Sequence, residues 1–443
     1  MSAFNQEYFQ DFASNLSDSE SPGDVLKAWF NLRGMHPELS AITGLTRYER
    51  ELAPRKRIID SPVYKKYLVH YFTKNNLYFI SDEVIQDTIV KNEIKIPVDY
   101  TLAFDTNLSS YIKTIIQGGG LGKDQGEIIR LLDQLLVDDV NFDHLFYLTE
   151  NTKQVYLKAH LLKKDAAPLE FWQKLNKKFR WNLVSLELFR GVDCKKYKIS
   201  PSGPESIFSF PDAVRNCVKY TYEFYATERG KLRTEKTLRF QRTILLCLIA
   251  MYRIQFSSKK GAKKKIEEYF NFVQNTVGVY FDREAIIAHK YFTDRQSIPF
   301  LNQVNVGAMP KAFLKTLDNI AWDMAAPRFM EELITSGGEA EFMAPFFLSF
   351  DKDLRNMLNG FLIKSAIINS KTGALIPIPE NNTNDYFVEN GCETIINWFF
   401  SREAIEKRRS NHLYDLKEIN LAILMEYRKL RRVYALTSKS SGR

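Results

Sequence analysis

The chain is poor in the residues from which zinc and redox centres are usually made. It holds four cysteines, Cys194, Cys217, Cys247 and Cys392, and no two are close enough in sequence to form a CxxC pair. That spacing excludes a zinc ribbon and offers no disulfide framework, so reduced thiols in a cytoplasmic protein are expected. Six histidines, at 36, 70, 144, 160, 289 and 412, make no HxH or HxxxH pair, and nothing supports a zinc hydrolase. A Gly-x-Ser-x-Gly nucleophile elbow is missing. Long apolar runs are missing as well. The longest, Ile244 to Tyr252, is about half of what a membrane span needs and reads as a buried helix. Residues 1–15 lack a basic segment followed by an apolar run, so no signal peptide is expected. Gly118-Gly-Gly-Leu-Gly-Lys-Asp124 lacks both the first glycine and the Ser or Thr of a phosphate loop and reads as a flexible linker.

What the chain does contain is core material and positive charge. Hydrophobic residues make up 45% and aromatic residues 13%, which excludes a largely disordered protein. A length of 443 residues implies one elaborated domain or two to three packed units. The net charge of +9 fits a polyanionic partner, nucleic acid above all, although it points there only weakly by itself.

Along the chain the character changes several times. Residues 1–97 read as an N-terminal helical extension, with Asp24 capping a helix through Trp29 and Leu32 and a short extended piece at Phe79 and Ile80. Val98 to Phe104 has the composition of a strand, followed by helices from Leu108, from Glu127 and from Leu145 to Leu162. Residues 163–310 mix Lys, Arg, Phe and Tyr in helical patterns at 208–228, 233–256 and 263–277, and read as a helical insertion. Lys259-Lys-Gly-Ala-Lys-Lys-Lys265 is a basic turn within it. Residues 311–385 return to alternating helix and strand: a helix at 310–320 that continues or restarts over 323–334, a break at Gly337-Gly338, a strand at 343–350 and a short edge strand at 373–378 carrying Pro377. Residues 386–443 form a C-terminal helical segment. Its basic helix, 419–436, bears Leu421, Leu424, Met425 and Leu430, and 438–443 are expected to fray.

Four acids stand out by their settings. Asp105 follows the strand Leu102-Ala-Phe104, Glu150 lies in Tyr147-Leu-Thr-Glu-Asn151, Asp323 in Ala321-Trp-Asp-Met324, and Asp351 in Phe347-Leu-Ser-Phe-Asp-Lys-Asp-Leu354. An acid beside an apolar stretch is costly unless it is paired or binds a metal. Carboxylates brought together repel one another, and a hard divalent cation relieves that repulsion, which points to Mg²⁺ or Mn²⁺. Each motif alone has an ordinary explanation. Asp105 and Asp351 could cap helices, Glu150 could be a solvated helical acid, and Asp323 could pair with Arg328. Their order and type favour one shared site.

Asp105-Thr-Asn after a strand, a helical Glu at the interval of Glu150, a helical Asp, and the closing Leu-Ser-Phe-Asp-Lys-Asp-Leu354 resemble the PIN-like ribonuclease superfamily. The resemblance covers 98–160 and 315–380 and departs from the family in the long gap between Glu150 and Asp323. It implies an α/β fold with a mainly parallel central sheet, a large helical insertion and added helices at both ends. The four acids would hold Mg²⁺ or Mn²⁺ for metal-dependent hydrolysis of RNA. Thr106, Asn107 and Asp353 would support them, with Lys352 or Arg328 on phosphate. Toxins, RNA-processing nucleases and defence effectors occur in that superfamily. Two alternatives stay open: a nuclease for single-stranded DNA, and a catalytically weak nucleic-acid-binding or complex-forming protein whose insertion docks a protein partner. No membrane partner is expected.

Overall fold

In the computed structural model, the described residues are 3–32, 38–47, 58, 61–74, 76–91, 98–140, 142–163, 166–200, 205–304, 312–334, 342–369, 371–372, 374–413 and 415–440. The expected helix start at Pro310, the break at Gly337-Gly338 and the end of the tail lie outside them. Chain contacts divide the protein into two units, one of 1–151, 162–223 and 327–380, the other of 152–161, 224–326 and 381–443.

The mainly parallel central sheet is not what forms. The first unit carries two small sheets, one antiparallel and one mixed. Strands β1 (Leu39–Leu45) and β2 (Leu68–His70) come from the segment read as helical, and β3 (Asn76–Ile80) contains the short extended piece expected at Phe79 and Ile80, alongside β4 (Val98–Phe104), β5 (Phe342–Leu348), β6 (Ile363–Asn369) and β7 (Ala374–Pro379). The four-stranded sheet runs β3-β1-β6-β7 and is antiparallel throughout. The three-stranded sheet runs β2-β5-β4, and among the described strands only β4 and β5 are parallel. A parallel neighbour needs a crossover connection of a dozen or more residues, whereas four residues separate β6 from β7, and that pair is antiparallel.

Proline placement agrees with these sheets. Pro345 lies in the middle strand β5, but β2 pairs only with Phe346, Phe347 and Leu348, so the missing N–H breaks no ladder bond on that side. Pro377 and Pro379 lie on the edge strand β7, as the edge assignment at 373–378 anticipated. Helices Ala3–Asp18 and Pro22–Leu32 join one core with the antiparallel sheet, through Phe12, Leu16, Val25 and Trp29 against Ala41, Ile80 and Ile367. The second helix starts at Pro22, ahead of Asp24. The Asp24 carboxylate instead accepts from the Ser21 N–H at 3.0 Å and the Ser21 hydroxyl at 2.7 Å.

Four further helices of this unit matter below: α1 (Thr106–Ile116), α2 (Gln125–Asp138), α3 (Leu145–Glu150) and α4 (Lys177–Arg190). The helix expected from Leu145 to Leu162 is interrupted. It stops at Glu150, and Thr152–His160 is a separate helix belonging to the other unit.

The second unit is helical in its described residues. Its centre is α5 (Glu228–Ser257), whose stretch Ile244–Tyr252 is buried at every position, as a helix packed on all sides must be. Phe313–Ile334 is one continuous helix, α6, without a restart at Asp323. It contains Pro327, from which the chain belongs to the first unit. After α7 (Lys352–Asn359) of the first unit, the long α8 (Leu416–Ser440) packs along α5. All four cysteines are free. Among the described residues no helix is long and apolar enough to cross a membrane.

Candidate functional site

The site is built where β4 and β5 end together. Phe104 pairs with Leu348 in parallel register, and the Asp105 N–H donates to the Leu348 carbonyl at 3.1 Å. Both strands then turn directly into helices, so both acids become helix caps. Asp105 caps α1 and accepts from the Asn107 N–H at 2.6 Å. Asp351 caps α7 and accepts from the N–H groups of Asp353 at 2.9 Å and Leu354 at 3.0 Å. The capping role weighed for each acid is therefore real, and it leaves the two caps side by side at one edge.

Ser349 links them. Its hydroxyl donates to the second Asp105 carboxylate oxygen at 2.7 Å and accepts from the Asp351 N–H at 3.0 Å. Asp105 is only 6% exposed, while Asp351 is open to solvent. Burial pushes the Asp105 carboxyl above its ordinary range. The bonds from Asn107 and Ser349 pull the other way, and the Asp351 charge adds to the rise. Glu150, half-buried at the end of α3, accepts from the Thr106 hydroxyl. Thr106 thus ties the third acid to the residue next to Asp105.

Asp323 is not described with these three. It belongs to the other unit, half-buried on α6 beside Trp322, whose ring Lys153 covers at 5.5 Å. Arg328 lies on the last turns of α6, also half-buried, and Lys352 and Asp353 are exposed on α7.

Several neighbours had not been singled out from the sequence. Phe350 packs at 4.4 Å on Tyr67, and Tyr111 meets the edge of Phe350 at 5.8 Å. The Arg355 guanidinium lies 5.7 Å from the Tyr67 ring and donates to the Ser349 carbonyl at 2.7 Å. Burial, and after it the Asp105 charge, raises the Tyr111 phenol. Ser349, Phe350 and Arg355 sit inside or one residue past the Phe347–Leu354 motif, so a closer reading of that motif could have found them. Tyr67 carried no signal, since only the β2–β5 pairing brings it here. Asp143 is another acid that burial pushes up, held by the Thr101 hydroxyl at 2.6 Å and the Leu145 N–H at 2.7 Å. Thr101 lies four residues before Asp105 on an extended strand, roughly 13 Å away at about 3.3 Å per residue, so Asp143 serves a different place.

Among the described residues no group of three His, Cys, Asp or Glu side chains is placed to hold a metal ion by itself. The corner offers two neighbouring carboxylates, with a third attached through Thr106. That set suits a hydrated Mg²⁺ or Mn²⁺, which takes one or two protein carboxylates and keeps water or substrate phosphate in its other positions. A four-acid cage is not required by such chemistry. Compared with known proteins, the chain matches no family model, no curated protein and no solved structure.

Proposed function

We propose that this chain is a metal-dependent nuclease that hydrolyses phosphodiester bonds in RNA, with Asp105 and Asp351 at its centre. The observation that carries the reading is the pair of caps. Two adjacent parallel strands deliver two carboxylates to one edge, and one of them is buried against the other's charge. Burial makes the charged form of Asp105 costly, and a bound cation would offset that cost.

Asp105 and Asp351 would be the direct ligands, and Glu150 would hold a water of the ion, oriented by Thr106. A bound Mg²⁺ or Mn²⁺ supplies an activated water and neutralises charge on the scissile phosphate. The protein's own part is positioning. Ser349 and Asn107 fix both oxygens of Asp105 so that neither has to reorganise when substrate arrives. Lys352, exposed beside Asp351, is free to approach phosphate, and the half-buried Phe350 and Tyr111 present rings to a neighbouring base.

The test is incubation of labelled RNA and single-stranded DNA with Mn²⁺, Mg²⁺ or EDTA. Wild type should cleave RNA only with metal. Asp105→Asn and Asp351→Asn should each lose more than the ~10–100-fold that outer ligands cost, with circular dichroism unchanged. Full activity in either variant removes the proposed site, and faster cleavage of DNA redirects the substrate.

A further inference from the structure

A second place in the first unit has the form of a ligand site. Between α1, α2 and α4 lies an apolar pocket of about 280 Å³. Ile112 of α1 and Leu136 of α2 form its buried floor, Phe189 of α4 one wall, and Ile116 and Ile129, 45% and 38% exposed, its rim. A helical core normally closes such a gap, because an unfilled cavity forfeits packing on every side. This one stays open at one end.

Asp133, Tyr197 and Ser206 are its polar lining, and of these Asp133 is exposed. The Tyr197 hydroxyl donates to one Asp133 carboxylate oxygen at 2.5 Å. Burial, then the hydrogen bond to Asp133, pushes the Tyr197 phenol up to about 12, so it stays a donor at neutral pH. Asp133 is exposed, and no described lysine or arginine forms an ion pair with it, although the chain as a whole carries +9. The site therefore combines an apolar interior with one negative charge at the mouth.

We infer that this pocket binds a small aromatic amine, its ring among Ile112, Leu136 and Phe189 and its ammonium on Asp133. Size and charge both narrow the ligand. A cavity of ~150 Å³ holds benzene, so this one admits a fused bicyclic ring and remains below the ~300–1,000 Å³ of typical drug-sized sites. The carboxylate repels fatty acids and other anions and favours a cation. The pocket also shares a helix with the candidate site, since Asp105 caps α1, which carries both Ile112 and Ile116.

The probe pair is tryptamine and indole-3-propionate, which share a ring and differ in the sign of their charge. With the full-length wild-type chain, tryptamine should bind by calorimetry at least about tenfold more tightly than the acid and raise the melting temperature in proportion to its saturation. Asp133→Asn, an exposed and isosteric change, should abolish the preference. Ile129→Trp, which fills the rim, should block both probes. The inference fails if neither probe binds at millimolar concentration, if both bind equally, or if Asp133→Asn keeps the preference. It also fails if Ile129→Trp dissolves a dimer of the wild-type chain, because a second copy then occupies the pocket.

Discussion

Asp105 is held in a state that opposes its own ionisation, and this has a sign that can be measured. Burial raises its folded-state pKa above the ordinary 3.8. A raised carboxyl binds its proton more tightly folded than unfolded, so its contribution to stability is best at low pH. Stability is then lost as pH rises from 3.8 through the raised folded value. Asp105→Asn removes that penalty and keeps an acceptor for the Asn107 N–H. In EDTA at pH 7 the variant should melt a few degrees higher than wild type, and the gain should vanish below the ordinary carboxyl range. A lower melting temperature at pH 7 would mean that the hydrogen bonds to Asp105 outweigh its desolvation. At this scale the sequence was informative for Asp105 and Asp351, because a strand running into Asp-Thr-Asn or Asp-Lys-Asp shows both the cap and the edge. Asp323 was chosen by its order, its type and its apolar setting on a helix. A sequence order carries no information about which unit a helical residue joins.

Elements were legible where one physical signal dominated. The strand over 98–104 and the helix over 244–252 were both read from composition, and both form. β1 was missed because Leu39-Ser-Ala-Ile-Thr-Gly-Leu45 is buried at all seven positions, leaving no alternation to read. Of the apolar residues named in α8, Leu430 is buried with Ile419, Ile423 and Tyr434, whereas Leu421, Leu424 and Met425 are exposed. Glu426, 2% exposed, shares that buried face because it pairs with Arg253. A buried acid looks solvated in the sequence when its cation comes from a distant helix. Two glycines offer a contrast in mutational sign. Gly278 has φ 74°, and a Cβ there would lie 2.4 Å from the His412 Cα, so Gly278→Ala should cost about 2 kcal/mol or more. Gly126 in α2 has open space around it, and Gly126→Ala should stabilise by about 0.5–1 kcal/mol. Urea titrations should show the two midpoints moving in opposite directions at unchanged slope.

For the whole molecule, the net charge of +9 is useful only where it is unpaired. In the basic stretch 259–265, Lys265 is buried and donates to Gln255 at 2.9 Å, and Lys264 pairs with Glu267 at 2.8 Å. Lys259, Lys260 and Lys263 remain as exposed candidates for phosphate. If they neutralise RNA phosphates, reversing all three should flatten the salt dependence of binding by about 0.7 for each phosphate released, read from dissociation constants across a salt series. An unchanged slope would place the RNA path elsewhere. The overall architecture was the least legible level. Pairing between β1 and β6 joins segments more than three hundred residues apart, and no local pattern announces a partner at that distance. The two prolines of β7 bear on how the protein fares when crowded. Two residues apart on one strand, Pro377 and Pro379 aim their nitrogens the same way, away from β6. A stray strand reaching that border of the sheet finds no hydrogen donor at either position. The border is therefore a poorer template for the growth of a fibre than a bare strand edge that keeps every outward N–H.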